Sequence, residues 1–455
     1  MREPDVTAVT PSKVAAGVPF ASALLFWLKL GFISFGGPAG QISIMHQELV
    51  ERRRWISEAR FLHALNYTML LPGPEAQQLA TYIGWLLHGL WGGIVAGVLF
   101  VLPSFLILIA LSWLYLAFGD VPTVAAALYG VKPAVTAIVL FAAYRIGGRA
   151  LQSRPLWVVA AAAFLAIFVL SVPFPYIVLL AAVAGAIGGR YSPQSFRLGS
   201  AHGGSGSGDS IIDDGTPARA DLAFSWHRLA IYVLTGVLLW VAGIGWLGLS
   251  FGVDSTPVDM AWFFTKAAFV TFGGAYSVLT YVYQGGVEQF QWLSATQMID
   301  GLALGETTPG PLIIIVTFVG FVGGWTKEVL GPENLFLSGF LCASVVTYFT
   351  FLPSFLFILA GGPAVESTRG NVRFTAPLSA ITAAVVGVVV NLALFFAYHV
   401  FWPAGIDGRF DWLAALIALA AFIALFRFRI GIIPVVLASA VLGMGFHELS
   451  VISSL

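Results

Sequence analysis

Two Pro-Gly-Pro triplets, Pro72-Gly73-Pro74 and Pro309-Gly310-Pro311, stand inside apolar sequence with carboxylates beside them. Glu75 follows the first directly and Glu306 precedes the second by three residues. Two glycine pairs, Gly36-Gly37 and Gly273-Gly274, form a second set of breaks, and Lys29 and Lys266 each stand seven residues ahead of a pair. Proline removes a backbone donor, clashes with the preceding turn and pushes its neighbour out of helical geometry. A helix that stops and restarts there exposes unpaired amides and a positive dipole end, which bind an anion without a full formal charge. Asn66, Gln77, Gln78, Thr81, Thr307 and Thr308 lie beside the breaks and offer hydrogen bonds to an oxyanion, although each alone also suits a helix-to-helix contact.

Each of these groups has a plainer reading. The breaks are packing kinks if taken singly, but their occurrence as two matched pairs favours a shared site. The lysines either snorkel to the interface or attract an anion as hydrated point charges. Intramembrane carboxylates are costly, so proton coupling is the natural role for Glu75 and Glu306, with capping of the broken backbone as the alternative. Asp300, near the start of its segment, reads as interfacial. His46, His63 and His88 have no metal-binding spacing, and no Ser-His-Asp or paired-carboxylate arrangement is present, so neither a metal cofactor nor an enzyme is expected. The single cysteine, Cys342, permits no internal disulfide.

The elements that hold these residues are transmembrane helices. Of 455 residues, 58% are hydrophobic and 10% charged, where soluble domains carry about 25% charged residues. Mean hydropathy is +0.90. Apolar stretches near the roughly 20 residues that span a bilayer recur along the chain, so the fold class is an all-α polytopic membrane protein. Net charge is zero, which gives no reason to expect nucleic acid. Residues 1–19 are mixed in charge and no cleavage site follows, so no removable signal peptide is expected.

The chain is duplicated. Phe26, Lys29, Phe32, Phe35, Gly36 and Gly37 recur as Phe263, Lys266, Phe269, Phe272, Gly273 and Gly274, and Gln47, Glu51, Trp55 and Ser57 recur as Gln284, Glu288, Trp292 and Ser294. The Pro-Gly-Pro triplets keep the same register, and Leu102-Pro103-Ser104-Phe105-Leu106 recurs as Leu352-Pro353-Ser354-Phe355-Leu356. This divides the chain into an N-terminal half, 1–188, a flexible glycine-rich polar linker, 189–225, and a C-terminal half, 226–455. The linker has no phosphate-binding loop pattern.

Basic residues mark cytoplasmic loops. Arg52-Arg53-Arg54 and Arg60 of the first half face Gln289-Phe290-Gln291 and Gln297 of the second, and Arg145, Arg149 and Arg154 face only His399. Arg369 and Arg373 lean the other way. The balance is that of an inverted repeat with discontinuous or re-entrant helices and a site at the midplane, with a parallel repeat as the alternative. A further apolar run, 229–249, supplies the crossing needed to invert the second half.

At these residues the sequence resembles long-chain members of the chromate ion transporter family. The resemblance rests on Phe32-Ile33-Ser34-Phe35-Gly36-Gly37-Pro38, Leu71-Pro72-Gly73-Pro74-Glu75-Ala76-Gln77-Gln78, Thr271-Phe272-Gly273-Gly274 and Glu306-Thr307-Thr308-Pro309-Gly310-Pro311. It implies export of chromate across the bacterial inner membrane and chromate resistance, driven by membrane potential, proton coupling or both. Chromate or a sulfate-like oxyanion and the lipid bilayer are the expected partners, a homodimer is left open, and no cofactor is called for. A sulfate uptake carrier and a membrane-embedded channel or enzyme are the alternatives.

Overall fold

The computed structural model describes residues 18–35, 37–119, 121–196, 211–212, 224–272, 275–367 and 375–452. The N-terminal stretch 1–17, Gly36, Gly273, Gly274, the glycine-rich run 199–209, Arg369 and Arg373 lie outside these residues.

The first half contains α1 (Phe20–Ile33), α2 (Gly37–His46), α3 (Glu58–Leu70), α4 (Glu75–Phe118), α5 (Pro122–Ala150), α6 (Arg154–Phe168) and α7 (Phe174–Tyr191). After the additional helix α8 (Trp226–Phe251), the order repeats as α9 (Thr256–Val270), α10 (Ala275–Tyr283), α11 (Ala295–Thr307), α12 (Ile315–Thr326), α13 (Leu335–Ser367), α14 (Thr375–Phe401), α15 (Trp412–Phe426) and α16 (Ile432–Ile452). The duplication extends to backbone detail. α2 and α10 each continue into a π-helical turn, Gln47–Arg52 and Gln284–Gln289. Arg54 and Gln291 share a left-handed backbone at φ 53 and 51, and Ser171 and Arg429 do so at φ 50 and 53.

α4 folds back on itself. His88 (φ −133) and Gly89 (φ 67) interrupt it, and a Cβ on Gly84 would lie 2.5 Å from both Ala96 Cβ and Gly92 O. Residues 84 and 96 of a straight helix would be about 18 Å apart, so arms 75–87 and 90–118 form a tight hairpin closed by glycines. α12 and α13 form the equivalent hairpin, in which Gly320 and Gly324 approach Cys342 and Ser338. The short segment expected after each Pro-Gly-Pro is therefore the first arm of a hairpin.

The halves interlock. α5 packs against α15 and α16, whereas α14 packs against α6 and α7. Small residues permit this approach, with Gly130 against Ser439 and Gly443, Gly185 against Ala376 and Ala380, and Gly387 against Ala160. The larger hydrophobic core draws on both halves, and α8 lies at its edge, joining it through Leu247 with only Gly236 otherwise buried.

Among the described residues six helices are long and apolar enough to cross a membrane, and the chain is a multi-pass membrane protein. Of the linker expected over 189–225, residues 197–210 and 213–223 lie outside the described residues. α7 continues to Tyr191, and Phe196 is buried against Gly188 while its carbonyl accepts from Ser379 Oγ at 3.0 Å. Farther on, Ile211 and Ile212 donate to Arg54 O and Trp55 O at 3.0 and 3.1 Å, forming a parallel bridge to the α2–α3 loop. Apolar side chains anchor both points, a feature masked in sequence by the surrounding glycine and serine.

Candidate functional site

The four breaks meet crosswise. Leu71 and Thr308, each before a proline, leave α3 and α11 in extended geometry at ψ 148 and 138. Gly73 and Gly310 then take φ +123 and +97, open only to glycine. The Gly73 amide donates to Thr271 O at 2.7 Å and the Gly310 amide to Ser34 O at 2.8 Å. Ser34 and Thr271 are repeat equivalents in the breaks after α1 and α9, so each half receives the other's freed donor. Pro74 and Pro311 lead into the restarting segments, while Pro72 O accepts from Gln78 Nε2 at 2.8 Å. Pro309 is buried beside Gly310.

The surroundings are polar and incompletely paired. A Cβ on Gly73 would meet Ser354 Oγ and Gln78 Nε2 at 2.5 and 2.7 Å, and one on Gly310 would collide with Ser104 Oγ. Ser104 and Ser354 are themselves repeat equivalents, so each triplet is faced by a hydroxyl from the opposite half. The hydroxyls of Ser34, Ser104 and Ser354 are buried with no hydrogen-bond partner, as are one carboxamide oxygen each of Gln41, Gln77 and Gln78. Gln41 Nε2 donates to Gly310 O, and Gln77 Nε2 donates to Thr81 Oγ1 at 3.1 Å. A buried hydroxyl without a partner costs about 1–3 kcal/mol. Two of the three hydroxyls flank the Gly310–Ser34 crossing and the third faces Gly73 at the other, a polar arrangement with unused donors, and the carboxamide oxygens could accept from water.

Charge comes from α5. Arg145 Nη2 lies 4.0 Å from the position of a Cβ on Gly37, whose φ is +70. The guanidinium acts electrostatically on Glu306 and Tyr276, yet it makes no hydrogen bond or ion pair with a described residue. Glu306 is 5% exposed and accepts from the Tyr276 hydroxyl. Glu75 is half-buried in the first turn of α4.

Several expected donors lie elsewhere or are already used. Lys29 is exposed in a stripe with Leu25 and Phe32, and Lys266 is exposed in the equivalent stripe with Trp262 and Phe269. Asn66 is exposed. Thr307 and Thr308 turn their hydroxyls back to Leu304 O at 3.0 and 2.7 Å. Asp300, expected near the interface, is 2% exposed and held between α4 and α5, because α11 is covered by helices that sequence cannot place. Ser34, Ser104, Ser354, Gln41, Arg145 and Tyr276 were not identified as site residues. The repeated Leu-Pro-Ser-Phe-Leu motif was the available signal for Ser104 and Ser354.

The sequence matches the chromate transporter family over residues 21–186 and 258–444. It is 32% identical over 450 residues to the chromate transport protein of Pseudomonas aeruginosa, covering 97% of this chain and 96% of that one. It is 28% identical over 458 residues to the chromate transport protein of Cupriavidus metallidurans, covering 96% of each. A probable chromate transport protein of Synechococcus elongatus is 28% identical over 366 residues, covering 80% of this chain and 81% of that one. No solved structure matches. The two family segments coincide with the two interlocked halves, and the chain belongs to the chromate transporter family.

Proposed function

We infer that the chain carries chromate, bound at the crossing of the two halves, out of the cytoplasm of a bacterial cell across the inner membrane. The supporting observation is the reciprocal set of unpartnered hydroxyls, Ser104 facing Gly310 and Ser354 facing Gly73, together with an Arg145 guanidinium near Gly37 that makes no ion pair among the described residues. A dianion stripped of water needs many donors at once. Glycine at the turns lets hydroxyls and backbone approach closely, and a guanidinium presents a planar fork to an oxyanion. Arg52, Arg53 and Arg60 do not supply this charge, since Arg52 and Arg53 pair with Glu48 and Arg60 lies near the capped start of α3.

Glu306 balances Arg145 when the site is empty and competes with the incoming dianion for it. Proton exchange on Glu306 or Glu75 is one route by which occupancy would be coupled to a proton gradient. Potential alone also suffices energetically. Two charges crossing 100 mV release about 4.6 kcal/mol, enough for a gradient of roughly two-thousandfold. Chromate flux into inverted vesicles, with sulfate as competitor, tests the function. Uptake that follows the imposed potential and is weakly inhibited by sulfate is expected. Sulfate accumulation without chromate flux would replace this reading by sulfate transport.

A further inference from the structure

A second charged cluster is buried away from the crossing. Asp300 on α11 accepts from Tyr115 of α4 at 2.9 Å through Oδ2, and Lys132 Nζ of α5 stands 3.6 Å from the same oxygen. Asp300 Oδ1 is buried without a partner. A buried ion pair repays its desolvation only with close geometry and satisfied lone pairs. This one has neither, so stability does not explain it.

The free oxygen has few candidate ligands. Lys132 places a positive charge beside the carboxylate, which disfavours a metal cation and leaves a proton. Among the described residues, the charged and titratable groups that act on Asp300 are Lys132 and Tyr115. α12 has no titratable residue, α16 has none through Phe446, and α14 has only Tyr398 and His399, the latter bonded to Phe395 O.

We propose that Asp300 is a proton-binding site coupled to anion transport, with Lys132 as its counter-charge and Tyr115 orienting it. This rests on the anion-transport reading. α5 carries both Lys132 and Arg145, and α11 carries both Asp300 and Glu306, so the same two packed helices frame both clusters. A proton taken from water at Oδ1 forms an O–H bond and leaves Lys132 without its counter-charge. The attraction between α5 and α11 weakens, and with it the placement of Arg145 against Glu306. Pro133, directly after Lys132, removes one helical hydrogen bond and gives α5 a point of adjustment there. Return of the proton to water on the opposite side restores the pair.

The test uses the full chain in proteoliposomes, kept in the alkaline range where chromate remains a dianion. Chromate flux is measured first under an imposed potential alone, then with a pH gradient added, while an internal dye reports proton movement. The wild-type protein is expected to gain at least threefold from the gradient and to move protons with chromate. Asp300→Asn and the double variant Asp300→Asn with Lys132→Gln should lose both gains, each measured against the variant's own potential-driven flux. The double variant avoids a buried lone lysine. Tyr115→Phe keeps both charges and should move the midpoint of the pH profile upward, since a donor to the charged carboxylate is removed.

A gradient response retained in the double variant, an unchanged midpoint in Tyr115→Phe, or no response in the wild-type protein would overturn the proposal. Loss of the response in Glu306→Gln or Glu75→Gln, with Asp300→Asn unaffected, would do the same. Absence of any wild-type chromate flux under potential alone would instead remove the transport reading, and this proposal with it.

Discussion

The Gly310 amide donates to the Ser34 carbonyl oxygen at 2.8 Å across the interface between the halves, and Gly73 makes the equivalent bond to Thr271 at 2.7 Å. Each half thus closes the backbone that the other breaks. With α5 packed on α15 and α16 and α14 on α6 and α7, neither half forms either crossing alone.

Glycine is required at both crossings, so Gly310→Ala and Gly73→Ala should each destabilise the protein. A left-handed backbone costs a non-glycine residue about 1–3 kcal/mol, and the collision of a Cβ with Ser104 Oγ or Ser354 Oγ adds to it. Gly148→Ala is the control: it lies within α5 with nothing inside 4 Å of the added carbon, and should be neutral or stabilising by up to about 1 kcal/mol. Thermal unfolding of the detergent-solubilised variants measures both. Wild-type stability in Gly310→Ala would show that the crossing adjusts freely.

The serine hydroxyls give opposite signs in binding and in stability. Ser104→Ala and Ser354→Ala remove buried groups with no partner, so melting temperature should hold or rise. If the hydroxyls receive the anion, each loses a hydrogen bond to a charged group, about 1.5–3 kcal/mol, and chromate affinity should fall at least tenfold in titration. Ser112→Ala, whose hydroxyl bonds Leu108 O at 2.6 Å, should leave affinity unchanged. Weakened folding together with unchanged affinity in the two site variants would remove the hydroxyls from the site.

The duplication, its register and the four breaks were legible because glycine, proline and tryptophan constrain backbone and packing in ways that composition cannot imitate. Gly37, Gly73 and Gly310 indeed carry positive φ. The side chains filling the crossing were less legible. Ser104 and Ser354 lie far along the chain from the triplets they face, and only the fold-back of α4 and the α12–α13 hairpin brings them there. Arg145 looked like part of a basic loop because its position in α5 relative to Gly37 depends on packing between distant helices. Lys29 and Lys266 had the right type and symmetry, but the exposed stripes of α1 and α9 carry them outward.

Arg145 and the two lysines should therefore separate cleanly. Arg145→Gln removes the formal positive charge acting on Glu306 at the site and should raise the chromate dissociation constant at least tenfold. Arg145→Lys should restore only part of it, because an ammonium lacks the planar fork. Lys29→Gln and Lys266→Gln should change affinity less than about threefold, within the 0–1 kcal/mol typical of exposed charges. Titration of purified variants decides this. Strong weakening in both lysine variants would place the site on the outer faces of α1 and α9.

The orientation of the halves can be tested where the repeat exchanges charge for aromaticity. Arg53 stacks its guanidinium 5.0 Å from the rings of Phe26 and Trp55. At the equivalent position Phe290 lies 5.9 Å from Phe263 and 4.6 Å from Trp292. The three-membered stack is kept while its charge is lost, so packing does not require the arginine. The charge difference then remains for membrane orientation, and the positive-inside rule predicts the Arg52-Arg53-Arg54 loop in the cytoplasm and the Gln289-Phe290-Gln291 loop outside. After replacement of the buried Cys342, single cysteines at Arg54 and Gln291 should label from opposite sides of the membrane with an impermeant thiol reagent. Arg53→Phe alone should fold and transport normally. Labelling of both positions from one side would reject the inverted arrangement and favour a parallel repeat.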